Sequence, residues 1–305
     1  MTTPDHVTLP AHAKANLLLR VLAKETTGYH GIETVFALLE LADRLTVERT
    51  AGGVALEVDA ETGPAEANLA HRAAELVLGA TGRRFGVRLT LTKRIPVAAG
   101  LGGGSSDGAA ALHAVNALAG HAVPRSEILR MAASLGADVA FFASGAPLAL
   151  AWNRGERLFR LPPPPVAPAL LLVPGFGVST PKAYELLDQG RDWAALRAPV
   201  VLDADAFGSW GGIARLGGND FEVPVFGKEP VLRTLYEKLC ATRPLLARLS
   251  GSGSALFAVY RNERDRDGAA IELAGGRHQL IPTLTRAAPA PGPSREWGVG
   301  SGVAD

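Results

Sequence analysis

The run Pro96-Val97-Ala98-Ala99-Gly100-Leu101-Gly102-Gly103-Gly104-Ser105-Ser106-Asp107-Gly108 constrains this chain more than any other stretch. Gly100, Gly102, Gly103 and Gly104 give a backbone that can approach a ligand closely. Before the run, Val87, Leu89 and Leu91 alternate with Arg88, Thr90 and Thr92, the period of a strand. After it, Ala109 to Ala119 is rich in helix formers, with Leu112, Val115 and Leu118 on one stripe. A loop opening a helix offers unpaired backbone N–H groups at the positive end of the helix dipole, which suits a polyphosphate. Ser105 and Ser106 could cap that helix, donate to phosphate or ligate Mg²⁺. A glycine-rich turn with a serine cap is the plainer alternative. Neither Gly-x-x-x-x-Gly-Lys-Ser/Thr nor Gly-x-Gly-x-x-Gly occurs here, so the two commonest nucleotide loops are disfavoured.

The chain has 305 residues, 47% hydrophobic and 20% charged, enough for one large or two modest domains with a real core. Its net charge of +1 gives no case for a nucleic-acid or membrane surface. Met1 to Pro10 has neither the basic start nor the apolar run of a signal peptide, and no apolar stretch is long enough to span a bilayer. Cys240 is the single cysteine, which excludes an internal disulfide and suits the cytoplasm. It reads as a small core residue.

Alternation predicts strands at 45–48 and 54–58, and a helix over 68–78. Ala15, Leu17, Leu19 and Val21 form one strand face, with Lys14 and Asn16 sharing the other at the strand's start. The proline run 162–165 marks a boundary. Beyond it come a buried strand (170–173), helices near 182–187 and 231–240, and a strand at 256–260. The order predicts an α+β chain in two lobes, 1–161 and 162–286, with a disordered tail at 287–305.

Three blocks in this order resemble the motifs of the GHMP kinase superfamily (galactose, homoserine, mevalonate and phosphomevalonate kinases): Ala13-Lys14-Ala15-Asn16-Leu17, Pro96 to Ser106, and Leu249-Ser250-Gly251-Ser252-Gly253-Ser254. The third block alone would pass for a hairpin turn. Gly28-Tyr29-His30, Leu135 to Val139 with Phe141-Phe142, Val178-Ser179-Thr180-Pro181 and Asn219-Asp220-Phe221-Glu222 are similar to the branch whose acceptor alcohol carries a diphosphocytidyl group. The resemblance covers residues 8 to 262.

The resemblance implies an N-terminal lobe of ribosomal-protein-S5 type and a ferredoxin-like C-terminal lobe, with ATP and acceptor meeting between them. It implies ATP binding by Pro96, Ala98, Ala99, Gly100, Leu101, Gly102, Gly103, Gly104, Ser105 and Ser106, with Asn68 at the adenine. Ser250, Gly251, Ser252 and Gly253 would close over the phosphates. Asp138 becomes the general base and Lys14 its cationic partner; a helix N-cap and a solvated strand-end lysine are their plainer readings. Asn16 and Thr180 would contact the acceptor, and cytosine would lie between Tyr29 and Tyr184 with His30 at its edge. Thr27 departs from the acidic residue usual before Gly-Tyr-His. Mg²⁺ is expected, with Ser106 and water as its ligands. Lys93 and Arg94 could pair with nucleotide, though surface charge is the favoured reading, and His12, His71 and His113 read as structural or surface residues. The acceptor is a small molecule, and the chain a monomer or homodimer. Another acceptor, of homoserine or mevalonate type, and a non-catalytic nucleotide-binding protein on the same fold are the rivals.

Overall fold

The computed structural model describes residues 4–26, 28–191 and 202–289. Most of the 287–305 tail, and Thr27, lie outside them. The first lobe runs β1 (His6–Lys24), β2 (His30–Thr50), β3 (Val54–Val58), α1 (Leu69–Ala80), β4 (Gly86–Thr92), α2 (Gly103–Leu118), α3 (Arg125–Leu135), α4 (Ala137–Ser144), β5 (Leu148–Asn153) and β6 (Arg157–Arg160). The second runs β7 (Pro168–Pro174), α5 (Thr180–Gly190), α6 (Trp210–Arg215), α7 (Glu222–Lys228), α8 (Pro230–Ala241), β8 (Leu246–Leu249), β9 (Leu256–Val259), α9 (Glu263–Leu273) and β10 (His278–Leu284). The order of strands and helices is the mixed α+β one expected, in two sheets with no strand in common.

Strand β2 is the spine of the first sheet. One edge pairs along its length with β1; the other pairs with β5 through Ile32–Ala37 and with β4 through Arg44–Thr50. On β4 the alternation of Val87, Leu89 and Leu91 with Arg88 and Thr90 is borne out: the apolar set is buried beneath α1 and α2, and Arg88 and Thr90 face water. Asn68 caps α1, accepting from Ala70 N at 2.9 Å. Helix α2 starts at Gly103, inside the glycine run and earlier than expected. Its cap is Gly102, so Ser105 and Ser106 sit in the first turn and do not cap it.

The second sheet has the order β10-β7-β9-β8, antiparallel throughout. Its middle strand β7 is apolar in sequence because both its faces are covered. Residues 250–255 turn β8 into β9, so the third motif is indeed a hairpin connection. A buried cluster joins the lobes: Ala13, Ala15, Leu17 and Leu18 of β1 pack with Leu171, Phe257 and Val259 of the second sheet. This explains why β1 carries apolar residues on both faces around Lys14.

Candidate active site

Lys14 lies in the middle of β1, not at its start, and is almost fully buried. Its Nζ donates to Asn16 Oδ1 at 2.6 Å and to the Gly100 carbonyl at 2.8 Å. Asn16 is held in turn, because its Nδ2 donates to Thr34 Oγ1 at 2.8 Å and that hydroxyl donates to Leu18 O. Asp138 Oδ2 stands 3.8 Å from the ammonium. Burial drives the Lys14 ammonium below its ordinary pKa, and the Asp138 charge offsets part of this.

Asp138 is the second residue of α4, following the cap Gly136, so it does not cap the helix with its side chain. Its carboxylate still benefits from the positive helix end. The side chain is 35% exposed, and Ala137 beside it lines a large cleft.

The glycine loop packs against the β8–β9 hairpin. Gly100 has φ of +81°, and a side chain there would stand 2.3 Å from Ser250 O, so only glycine fits. Ser250 Oγ donates to Gly100 O at 2.9 Å, and Ala255 N donates to Ala99 O. Gly251 sits against Lys14: a Cβ on it would be 3.4 Å from Nζ. One face of the loop opens on a cavity of about 370 Å³, lined by Asn68, Pro96 and the backbone from Val97 to Ser105. The expected phosphate-loop residues are thus contiguous, apart from Ser106, which is buried under the turn.

A second, larger cleft of about 1170 Å³ holds Tyr29, His30, Thr180 and Tyr184. The aromatic arrangement differs from the expected sandwich. Tyr184 stacks on His30, with ring centroids 4.8 Å apart, and meets Phe221 edge-on. Tyr29 is 60% exposed and carries the Arg154 guanidinium over its ring at 4.2 Å. Burial, with Asp138 nearby, pushes the Tyr184 hydroxyl up to about 12. Thr180 Oγ1 lies 2.8 Å from Ser252 Oγ, linking this cleft to the hairpin.

Two features escaped sequence reasoning. His30 Nε2 donates to Asp188 Oδ1 at 2.7 Å, and Lys24 Nζ donates to its other oxygen at 2.6 Å. Partial burial works against the Asp188 carboxylate, but these bonds outweigh it and hold it below its ordinary pKa. The available signal was spacing: Asp188 is four residues beyond Tyr184 on one helix. The second is Lys93, which is not a surface charge. Its ammonium is buried between Asp43 and Asp107, close to Gly103 of the glycine loop. Asp43 also accepts from the backbone N–H groups of Arg94 and Ile95. Arg94 is exposed, as expected.

The histidines read as structural behave so where bonded: His12 Nδ1 lies 3.0 Å from Leu39 O, and His113 Nε2 3.0 Å from Ala143 O. Cys240 is exposed on α8 rather than in the core, because Leu232 and Leu239 take that helix's buried face. Among the described residues no group of three histidines, cysteines or carboxylates could hold a metal, and no helix is long and apolar enough to cross a membrane.

The GHMP kinases N terminal domain model matches residues 68–146, and the GHMP kinases C terminal model matches residues 200–274. The 4-diphosphocytidyl-2-C-methyl-D-erythritol kinase of Moorella thermoacetica is 40% identical over 259 residues, 84% of this chain and 90% of that protein. Its counterpart from Pelotomaculum thermopropionicum is 40% identical over 281 residues, covering 92% and 98%. A crystal structure of 4-(cytidine 5'-diphospho)-2C-methyl-D-erythritol kinase superposes with a TM-score of 0.77 at 38% identity, covering 91% of this chain and 99% of that one. Homoserine kinase from Cytophaga hutchinsonii, 18% identical with a TM-score of 0.70, shares the fold. With both family models and relatives matched over nearly their whole length, the chain belongs to the 4-diphosphocytidyl-2-C-methyl-D-erythritol kinase family of the GHMP kinases.

Proposed function

We propose that this protein transfers the γ-phosphoryl group of ATP to the 2-hydroxyl of 4-diphosphocytidyl-2-C-methyl-D-erythritol, a step of non-mevalonate isoprenoid precursor synthesis. One observation carries the reading beyond family membership. The Lys14 ammonium touches the glycine loop at Gly100 and faces Asp138, which adjoins the lining of the second cleft. A phosphate donor on one side and an alcohol on the other would meet at this pair.

The roles follow from chemistry. The backbone N–H groups of the Gly100–Ser105 segment, at the start of α2, bind the triphosphate. Asn68 also lines that cavity and is the residue we place at the adenine. Asp138 accepts the acceptor's hydroxyl proton as the oxygen bonds to the γ-phosphorus and the bond to the ADP oxygen breaks. Lys14 offsets charge on the transferring group; its buried setting makes that charge more effective than in water. Asn16 holds Lys14 and Thr180 faces the acceptor. Tyr29, His30 and Tyr184 take the cytidyl end, with the base on the Tyr29 face that Arg154 leaves open. Ser250, Gly251, Ser252 and Gly253 close over the phosphates.

Mg²⁺ suits this donor set as an ion carried on the phosphates, since it keeps most of its waters and needs only one or two protein oxygens. Ser106, the oxygen expected from the sequence, is buried and outside the cavity, so it does not fit; Ser105, which lines it, is the protein oxygen that would hold the ion, and the ion would neutralise phosphate charge. The lobes divide near residue 161, a reading supported by the two sheets having no strand in common. A chain with a single cysteine, Cys240, and so no internal disulfide, suits the reducing cytoplasm.

The test offers labelled ATP with the diphosphocytidyl acceptor, homoserine or mevalonate in turn. Label should pass to the first alone; transfer only to another alcohol overturns the substrate, and no transfer at all overturns the activity.

A further inference from the structure

The Asn219-Asp220-Phe221-Glu222 turn lines neither cleft, yet it ties strand β1 to the β8–β9 hairpin. Strand β1 has β2 along one edge. On its other edge Leu19 N donates to Gly218 O at 3.1 Å, Asp220 N donates to Leu19 O at 2.9 Å, and Val21 N donates to Asp220 Oδ2 at 2.7 Å. From its opposite side the turn grips the β8–β9 hairpin. Asn219 Nδ2 donates to Leu249 O at 2.9 Å and to Gly251 O at 2.6 Å, and Leu249 N donates to Glu222 Oε1 at 3.0 Å.

Asn219 is buried, and its amide is used at both ends, because Oδ1 accepts from Phe221 N at 2.9 Å. A buried amide satisfied on every side has one orientation available and resists displacement. What it fixes is the residue next to the reacting groups. Gly251 lies against Lys14 Nζ, and its neighbour Ser250 donates to the carbonyl of Gly100, which Lys14 also binds. Asn219, Gly251, Lys14 and Gly100 thus form an unbroken series of contacts from the turn to the phosphate loop.

We propose that Asn219 is a positioning residue for phosphoryl transfer: it seats Gly251 beside Lys14 and so sets the hairpin across the phosphate loop. The proposal rests on the reading of that loop as the ATP site. Loss of the amide frees the hairpin and weakens the hold on ATP. The cytidyl cleft meets the hairpin at Thr180 and the turn at Tyr184, but its contacts between His30 and Asp188 and between Tyr29 and Arg154 lie away from both.

The test is Asn219→Ser. A serine hydroxyl can still accept from Phe221 N and leaves no buried charge, but it cannot reach both carbonyls. KM for ATP, KM for the diphosphocytidyl acceptor, kcat and melting temperature are measured together. The KM for ATP is expected to rise about tenfold, the effect of one good buried hydrogen bond, with the acceptor KM within about twofold of wild type. Unchanged ATP KM in the folded variant overturns the proposal. So does a fall in kcat with both KM values unchanged, the mark of a smaller folded fraction. If the serine variant melts below the assay temperature, Asn219→Thr, whose hydroxyl can also accept from Phe221 N but cannot reach both carbonyls, carries the same test; the same ATP-selective loss supports the proposal and its absence overturns it. Wild-type enzyme inactive with ATP would instead overturn the functional reading.

Discussion

Asp138 faces Lys14 across 3.8 Å, too far for a hydrogen bond, while Lys14 spends its donors on Asn16 and Gly100. The lysine therefore lends Asp138 its charge without occupying the carboxylate's lone pairs. Those remain for a hydroxyl proton. Asp138→Asn should lower kcat about 10²–10⁴-fold, the usual worth of a positioned base. Nucleotide affinity, read by equilibrium titration, should stay within about twofold, because no part of the phosphate cavity is touched. Retained turnover would remove Asp138 as the base.

Gly100 bears on both nucleotide binding and lobe contact. A Cβ there would lie 2.3 Å from Ser250 O and 2.9 Å from Gly253 O, at a φ that L-residues rarely adopt. Gly100→Ala must push the hairpin away. The cost should be about 2–3 kcal/mol, from strain plus the displaced bonds. Thermal melting should fall by several degrees and the KM for ATP should rise at least tenfold. Gly79→Ala on α1 is the control, since a Cβ there meets nothing within 4 Å and the residue lines neither cleft. Equal behaviour of the two variants would contradict the steric argument.

The Asp188 carboxylate orients His30, and His30 supports the Tyr184 ring. Asp188→Asn keeps the shape but removes the charge that holds Nε2–H. The dissociation constant for the diphosphocytidyl acceptor should rise about tenfold, in line with a charge-assisted bond of about 1.5 kcal/mol. ATP binding should not change. Calorimetric titration with each ligand separates the outcomes; a parallel loss of both would point to general unfolding instead.

Burial, more than the neighbouring Asp43 charge, pushes the Asp107 carboxyl up to about 7 against the opposing pull of Lys93. The folded state then holds this proton more tightly than the unfolded chain does. Stability from this group is present below pH 3.8 and is lost as pH rises toward about 7. Asp107→Asn should therefore flatten the decline in melting temperature between pH 5 and 7, by roughly a few degrees. An identical pH slope in variant and wild type would contradict the shift.

Motif-bearing segments were legible because they need particular residue types. Gly100 must be glycine, Asn68 caps a helix, and Lys14 interrupts an apolar strand, so each stands out against its neighbours. Partnerships between distant charges were not legible. Lys93 read as a surface residue because its partners lie 50 and 14 positions away, and nothing local predicts that Asp43 is buried. Cys240 misled for the opposite reason: an apolar neighbour, Leu239, said nothing about which side of α8 faced inward. Tyr29, His30 and Tyr184 were singled out by resemblance, but their order in space depends on α5 docking over His30, which sequence spacing does not encode.

Strand β2 carries a last consequence. It is the backbone of the first sheet, yet it also bonds to the second lobe: Leu41 N donates to Thr283 Oγ1, Arg286 N donates to Leu38 O, and Arg286 pairs with Glu40. With β1 buried in a cluster shared by both sheets, the lobes are one elastic body. Opening the cleft as a jaw would have to break that shared core. Substrate capture within the two glycine segments, 96–104 and 250–254, would leave it intact, and amide exchange should then slow there on ligand binding while the sheets stay as protected as before.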